Sequence, residues 1–565
     1  MINSSNRTWI KNKMAQHVKK LLRYLFYHLL YVVYSVLVKI TVKDKKTLPE
    51  RYVHDVYEIF PAPEATGTPD KIALPYVSVD NFNKHDLNRP YEVMRVSVLE
   101  PKNTKQIHMP KANDLILPIA LLNNTDGEDK PSAVAISYGT QRKELQLKFK
   151  NRFHYLPIKT DIAIDRILIN SPHERLGIGD PIFNRNEPFK SKPKLIVHIF
   201  VDALSKVLLD LSSEDMMPAT KGFFSKGTIF ENAYSQADWT LSSMSGAFTG
   251  KYTKDHLMYH PRRGGKIKPT TVAEVLSSEG YTTSSISSVP KLTPISGFDK
   301  GFARCVVAPF KDANFIVNEA IEQLDTFNGN QYLFLGFFDV HEAFRLQPIS
   351  SQVKNCLSDF NYKDIQSSKG LSILYDDERI ARYLNTLKHF DSKLERLYTK
   401  INDYDENATV VLHSDHGVDF MTCNTQRLSK ERQKVALMIK GKSVSAAVDK
   451  TVREIREVPS MILNASDIED KMEYEKTGFA KTESIYPNQE YELAIRNSEY
   501  VLFFQVPWKC LRDRMLLDYK FTASFHCVSN ESEQIEPNKT FERMLSMAKD
   551  HYVELVRNLN EFERY

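Results

Sequence analysis

Leu195-Ile-Val-His-Ile-Phe-Val201, ending on Asp202, is the stretch on which the reading of this chain turns. It is an apolar, β-rich run, and it marks a change of texture near residue 193. From here strand-like runs at Tyr281–Ser287, Gln331–Phe338, Ala408–His413 and Val435–Ile439 alternate with helical patterns at Thr271–Glu279, Asn314–Phe327 and Leu371–Asn402. That alternation predicts an α/β fold, a mixed sheet flanked by helices on both faces. In open sheets of this kind ligands bind beyond the carboxyl ends of the strands, so the polar residues standing there are the candidates for function.

Three strands end on such residues: the first on Asp202, the strand Tyr332–Phe338 on Asp339 and His341, and Thr409–Leu412 on His413, Asp415, His416 and Gly417. A fourth element, Trp239-Thr240-Leu-Ser-Ser243, leads into a short apolar helix pattern, Met244–Thr249, closed by Gly250. A hydroxyl at Thr240 would stand just before a helix N-terminus, whose free N–H groups and positive dipole end attract a tetrahedral anion. Threonine is a poor nucleophile unless its proton is made easier to lose, and coordination to a metal does that. Asp202, Asp415 and His416 offer the oxygen and nitrogen ligands that suit one Zn²⁺ or Mn²⁺ ion better than Ca²⁺, which prefers an all-oxygen shell.

Outward from this core, the 565 residues are 42% hydrophobic, enough for a large catalytic domain with appended segments, and 76 basic against 71 acidic residues give a net charge of only +5. A balance so even offers no argument for a nucleic-acid partner. Residues 44–192 carry short alternating runs at Tyr91–Leu99, Ala133–Ser137 and Leu145–Phe149 and are expected to form an N-terminal β-rich region. The core is expected over 193–465, with 466–565 as a C-terminal segment packed on it through the amphipathic stretch Phe541–Phe562.

The apolar run Tyr24–Val38 lies between basic clusters, Lys11, Lys13, Lys19, Lys20 and Arg23 before it and Lys39, Lys43, Lys45 and Lys46 after it. Spanning about 30 Å of hydrocarbon takes roughly 20 helical residues, a length that Tyr24–Val42 reaches if Lys39 snorkels. An uncleaved signal anchor over 21–42, with 1–20 as a cytosolic tail, is the preferred reading because no small-residue cleavage site follows. A cleaved signal peptide and a plain amphipathic helix are the alternatives. Glycosylation triplets at Asn123, Asn407, Asn464, Asn530 and Asn538 favour a lumenal or extracellular body; those at Asn3 and Asn6 show how readily the triplet arises by chance. Of the five cysteines, Cys305, Cys356, Cys423, Cys510 and Cys527, none forms a Cys-x-x-Cys metal signature, and Cys510–Cys527 is the expected local disulfide, with unpaired buried thiols as the alternative.

Taken in order, Ile199-Phe-Val-Asp202, Phe230-Glu-Asn-Ala-Tyr234, Thr240-Leu-Ser-Ser-Met-Ser-Gly-Ala-Phe-Thr249-Gly250, Gly297-Phe-Asp299 and Ser414-Asp-His-Gly417 resemble the alkaline-phosphatase/sulfatase superfamily over roughly residues 193–465. Within it, the sequence resembles the membrane-anchored sulfatase-like proteins of invertebrates. The resemblance implies that Asp202, Asp415 and His416 are metal ligands, that Thr240 is both nucleophile and fourth ligand, and that His341 contacts the transferred group. This sequence departs from sulfatases where they carry a cysteine processed to formylglycine: Thr240 stands there, followed by Ser242 and Met244 in place of proline and arginine. Asp202-Ala203 replaces a pair of aspartates. Threonine points toward phosphate-type esters, with sulfate esters second. Beyond Asp339, His341 and His526, little is left to build a second metal site, so the single-metal branches, lipoteichoic-acid synthases and phosphoethanolamine transferases, fit better.

Each of these residues also has a plain structural reading. Asp415-His416-Gly417 could be a strand-to-loop turn whose glycine supplies positive φ. Thr240, Ser242 and Ser243 could be helix caps, and His413 a core residue. Arg427 and His256 are the candidates for clamping a substrate anion, with Lys251 and Lys430 beside them, though all four could be ordinary surface charges. The expected activity is a metal-dependent hydrolase or transferase for an anionic ester carried on a glycan or lipid head group. A catalytically inactive extracellular binding protein is the alternative.

Overall fold

Leu195–Val201 lies in the middle of a mixed sheet, and all seven of its residues are buried. This computed structural model describes residues 71–75 and 90–562, apart from 123–131, 148–152, 185–191, 213–214, 260–265, 342–376, 419–426, 473, 475–476, 486–488 and 517–518. The anchor Tyr24–Val42, Asn123, Cys356 and Cys423 lie outside the described residues. Among the described residues no helix is long and apolar enough to cross a membrane.

Two strands flank Leu195–Val201 in parallel: Gln331–Phe337, with Phe337 opposite Val201, and Thr409–His413, with His413 opposite Phe200. That register brings the three strand ends to one edge of the sheet, so Asp202, His341 and Asp415 emerge beside one another. Parallel strands covered on both faces must be apolar throughout. The alternation within the first strand then assigns its faces. Leu195, Val197, Ile199 and Val201 meet the helices Ala313–Thr326 and Asp377–Tyr404 in one apolar cluster. On the opposite face His198 lies 5.7 Å, ring to ring, from Phe248 of the helix Thr240–Thr249.

The sheet continues on one side through Leu437–Lys440, antiparallel, to Thr228–Tyr234 and Ala447–Glu454. On the other it runs through Thr282–Ser287 and Arg304–Val307, then into the N-terminal β-rich region by way of Tyr91–Leu99, which pairs antiparallel with Arg304–Val307. At that joint Arg304 Nε is 2.5 Å from a Glu92 carboxylate oxygen and its Nη1 donates to Gln323. Both charges are buried, so each needs the other.

The C-terminal residues form a structure that the sequence reading did not anticipate. Ala480–Ser484, Tyr491–Arg496, Tyr500–Val506, Thr522–Cys527 and Asn530–Gln534 make a separate five-stranded antiparallel sheet. The helix Lys539–Phe562 buries Met544, Ala548, Tyr552, Leu555, Val556 and Leu559 against it. Ser484 Oγ donates to Asp238 Oδ2 at 2.8 Å and Glu483 N–H to Gln236 C=O at 3.0 Å, so this sheet touches the loop leading to Thr240. The expected Cys510–Cys527 disulfide is not formed. Both thiols are free: Cys510 is buried in the apolar cluster beneath the C-terminal helix, while Cys527 closes an edge-side strand opposite Tyr500. The two serve as small packing residues on separate elements.

Candidate metal and nucleophile site

Asp202 and Asp415 leave the ends of adjacent strands in a buried pocket where full hydration is lost. The turn after Asp202 is tight: Ala203 takes φ +59°, an unfavourable conformation for a residue with a Cβ. It is held from both sides, its N–H donating to Asp415 Oδ1 at 3.0 Å and its carbonyl accepting from the Tyr383 hydroxyl at 2.8 Å. Tyr383 Oη also accepts from Ser205 N–H at 2.7 Å, so one side chain of the long helix stitches the loop behind Asp202.

Asp415 divides its oxygens between two tasks. Oδ1 accepts from the N–H groups of Ala203 and His416, whereas Oδ2 is buried, accepts no hydrogen bond among the described residues and lies 3.2 Å from His416 Nε2. His416 Nδ1 must donate to the Gly417 carbonyl at 2.8 Å, since a carbonyl only accepts. In the neutral ring Nε2 therefore presents a lone pair to the pocket. Asp202 Oδ1 is 3.9 Å from that nitrogen. Ligand atoms of Asp202, His341 and His416 lie within 4.8 Å of one another. Lone pairs that converge in a buried pocket repel unless a cation lies between them, and the residues present fit one divalent ion.

Thr240 opens the helix Thr240–Thr249, and its Oγ1 stands 3.5 Å from both Asp202 Oδ2 and His416 Nε2. The neighbouring hydroxyls are engaged elsewhere: Ser242 donates to the Met258 carbonyl at 2.6 Å and Ser243 to the Asp415 carbonyl at 2.8 Å. None of the three acts as a cap. Trp239, at the N-cap, supplies no side-chain capping hydrogen bond, and the first backbone bond across the start is Ser243 N–H to Trp239 C=O. The earlier N–H groups project from the helix end, where they suit an anion.

Gly417 is required by crowding rather than by its backbone angle, since it is not among the glycines with positive φ. A Cβ there would fall 2.3 Å from the Glu431 carbonyl oxygen. The glycine lets the segment around Arg432 close on the His416 loop, where Gly417 N–H donates to the Arg432 carbonyl at 2.6 Å.

The sulfatase family model matches residues 194–468, the stretch that holds all of these groups. These residues are a sulfatase-family domain. It belongs to the alkaline-phosphatase/sulfatase superfamily and so to a family of ester hydrolases. Among solved structures, the sulfatase-type protein yidJ of Bacteroides fragilis is similar in fold at TM-score 0.51 and 12% identity, covering 66% of this chain and 99% of its own. The phosphonate monoester hydrolase of Agrobacterium radiobacter gives TM-score 0.48 and 11% identity, with 64% of this chain and 96% of its own covered. No curated protein matches the chain in sequence.

Within the sulfatase domain the remaining candidates fall in different places. His341, expected at the substrate, faces the same point as Asp202 and His416, and its ring stacks on Phe338 at 4.7 Å. His256 is buried; its Nδ1 accepts from Met258 N–H at 3.0 Å, and burial pushes its pKa down to about 4. Arg427 is held by the C-terminal sheet, donating to Ser484 Oγ at 3.2 Å, 4.0 Å from Glu492. Ser484 in turn holds Asp238, two residues before Thr240. Burial raises the Asp238 carboxyl above its usual range, and Arg432 is the largest influence lowering it again.

Lys430 is fastened by its backbone, its N–H donating to Glu531 at 2.9 Å. His413 is wholly buried in hydrogen bonds to His198 and the Ser414 carbonyl. Burial of the Asp339 carboxyl pushes its pKa up to about 7, and its Oδ1 accepts from Ala313 N–H at 2.9 Å. His526 uses both ring nitrogens on the C-terminal sheet, toward Ser524 and the Glu533 carbonyl. Sequence reasoning missed Tyr383 and Arg432: one reads as a helix-face aromatic, the other as a surface charge.

Proposed function

We propose that the chain hydrolyses or transfers an anionic, phosphate-type ester, with Thr240 attacking at a site that holds one divalent ion, Zn²⁺ or Mn²⁺. The observation that carries this reading is the position of Thr240 Oγ1, 3.5 Å from both Asp202 and His416 at an uncapped helix start. A divalent ion held by Asp202, Asp415 and His416 would ease loss of the hydroxyl proton and offset charge on the ester oxygens. The chain's own contribution is placement. The Gly417 carbonyl fixes the His416 tautomer, the N–H groups of Ala203 and His416 hold Asp415, and the first-turn N–H groups of the Thr240 helix receive the anion.

The test is turnover of an aryl phosphate, an aryl phosphodiester and an aryl sulfate by the full chain loaded with Zn²⁺ or Mn²⁺, before and after chelation. Cleavage of a phosphate ester that chelation stops and metal restores is the expected result. Bound metal with no turnover of any of the three would overturn the reading and leave an inactive binding protein. Sulfate cleavage alone would replace phosphate by sulfate chemistry.

We further place the protein at a membrane through Tyr24–Val42, with the sulfatase domain lumenal or extracellular and a glycan or lipid head group carrying the ester. Support comes from Asn407, Asn464, Asn530 and Asn538, each exposed as a glycan acceptor must be. Protein made in a secretory host should lose mass on enzymatic removal of N-glycans; an unchanged mass would count against this placement.

A further inference from the structure

We propose that Arg432 is a substrate clamp, its guanidinium holding the non-bridging oxygens of the ester beside Thr240. This rests on reading the site as one for anionic esters. Arg432 lies in the short helix Lys430–Gln433, whose backbone is locked to the His416 loop. Its carbonyl accepts from Gly417 N–H at 2.6 Å, and its Cα would be 3.3 Å from a Cβ on Gly417. The helix is also held from the C-terminal sheet, where Glu531 accepts from Lys430 N–H at 2.9 Å and pairs with the buried Arg496 at 3.1 Å. The backbone of Arg432 is thus fixed one residue's breadth from the metal loop.

Its side chain, by contrast, is half-buried and, among the described residues, makes no hydrogen bond or ion pair. Other arginines around the site are matched: Arg427 with Ser484 and Glu492, Arg456 with Glu454, Arg496 with Glu531. Arg432 influences Asp238 and Glu492 electrostatically without touching either, and Asp238 also feels His416. One carboxylate therefore lies within electrostatic range of both the guanidinium and the imidazole at the centre. A half-buried guanidinium whose N–H donors meet no acceptor among the described residues still has hydrogen bonds to make, and Asp238 and Glu492 offset its charge only at a distance. An arriving phosphate-type group completes it, because the planar fork of N–H donors matches two phosphate oxygens at once.

Binding of inorganic phosphate to Mn²⁺-loaded full-length Thr240→Ala protein, measured by titration calorimetry at pH 8, tests the clamp apart from turnover. Adding Arg432→Gln should weaken phosphate binding roughly 10- to 100-fold, the scale of a lost charged hydrogen bond. Arg432→Lys, which keeps the charge but not the fork, should fall between. Unchanged phosphate affinity in Arg432→Gln overturns the proposal, even if that variant melts at a different temperature, because a partner for Asp238 alone would move stability and not affinity. Absence of phosphate binding in the parent overturns it as well. If Arg432→Gln does not fold, Arg432→Lys decides, with undiminished affinity counting against a bidentate clamp. Phosphate binding that depends on Arg432 in a chain that turns over no ester would uphold the clamp while the hydrolase reading failed.

Discussion

Replacing Thr240 by alanine is expected to lower turnover of an aryl phosphate by at least about a thousandfold while leaving the fold and the metal in place. The separation of effects follows from where the hydroxyl sits. Thr240 begins a helix whose ten residues are all buried, and alanine suits a helix at least as well as threonine, so the backbone has no reason to move. Among the described residues the hydroxyl's hydrogen bonds are the two long ones to Asp202 and His416. Removing it leaves Asp415 held by the N–H groups of Ala203 and His416, and His416 held by the Gly417 carbonyl. Metal content by elemental analysis and melting temperature should therefore stay near the parent values. Thr240→Ser, which keeps a hydroxyl on a less restricted side chain, should retain part of the rate. Parent-like turnover in Thr240→Ala would remove the nucleophile from the scheme, and loss of metal in the same variant would make the hydroxyl a needed fourth ligand, so that lost turnover no longer spoke for a nucleophile.

The centre could be read from the sequence because it lies where local and global order agree. Parallel strands covered on both faces leave uninterrupted apolar runs, and their ends are marked by the first charged residue, so Asp202 and Asp415 announce themselves. The in-register pairing of Val201 with Phe337 and of Phe200 with His413 then does what spacing along the chain cannot show, bringing three ends to one point. The C-terminal sheet was not legible for the opposite reason. Two of its strands, Ala480–Ser484 and Asn530–Gln534, are largely polar in sequence, and their strand character comes from neighbours paired across the sheet rather than from an apolar pattern of their own. Arg432 and Tyr383 were hidden in the same way, since both sit among helix-forming charges and only the closure of distant segments gives them work. Gly417 was legible as a special position for a wrong reason, the φ argument giving way to the approach of the Glu431 carbonyl.

Acid should destabilise the protein well above the range in which ordinary carboxylates titrate, and the cause is a buried row of neutral imidazoles. His413 Nδ1 donates to the Ser414 carbonyl, which leaves its Nε2 to accept from His198 Nε2 at 2.7 Å, and His198 Nδ1 to accept from the Tyr332 hydroxyl at 3.0 Å. Every hydrogen has a place, and one more proton would set two N–H groups against each other inside the sheet. Burial, and for His198 also the neighbouring His413, lowers both pKa values, that of His413 to about 4. His256, buried near Glu483, is likewise pushed down to about 4. In the unfolded chain these rings protonate near 6.5, so between about 6.5 and 4 the unfolded state binds more protons and stability is lost as pH falls. Asp339 works the other way: with its pKa pushed up to about 7, the folded state takes its proton first and cancels one histidine over the same range. Each proton by which the unfolded state exceeds the folded one gives about 1.4 kcal/mol per pH unit, large against a total stability of about 5 to 15 kcal/mol. Urea midpoints should therefore hold level from pH 8 to 7 and drop steeply between 6.5 and 5. A flat profile down to pH 5 would show that the buried imidazoles carry protons in the folded state, and with that the one-directional hydrogen-bond row beneath Asp415 would have to be redrawn.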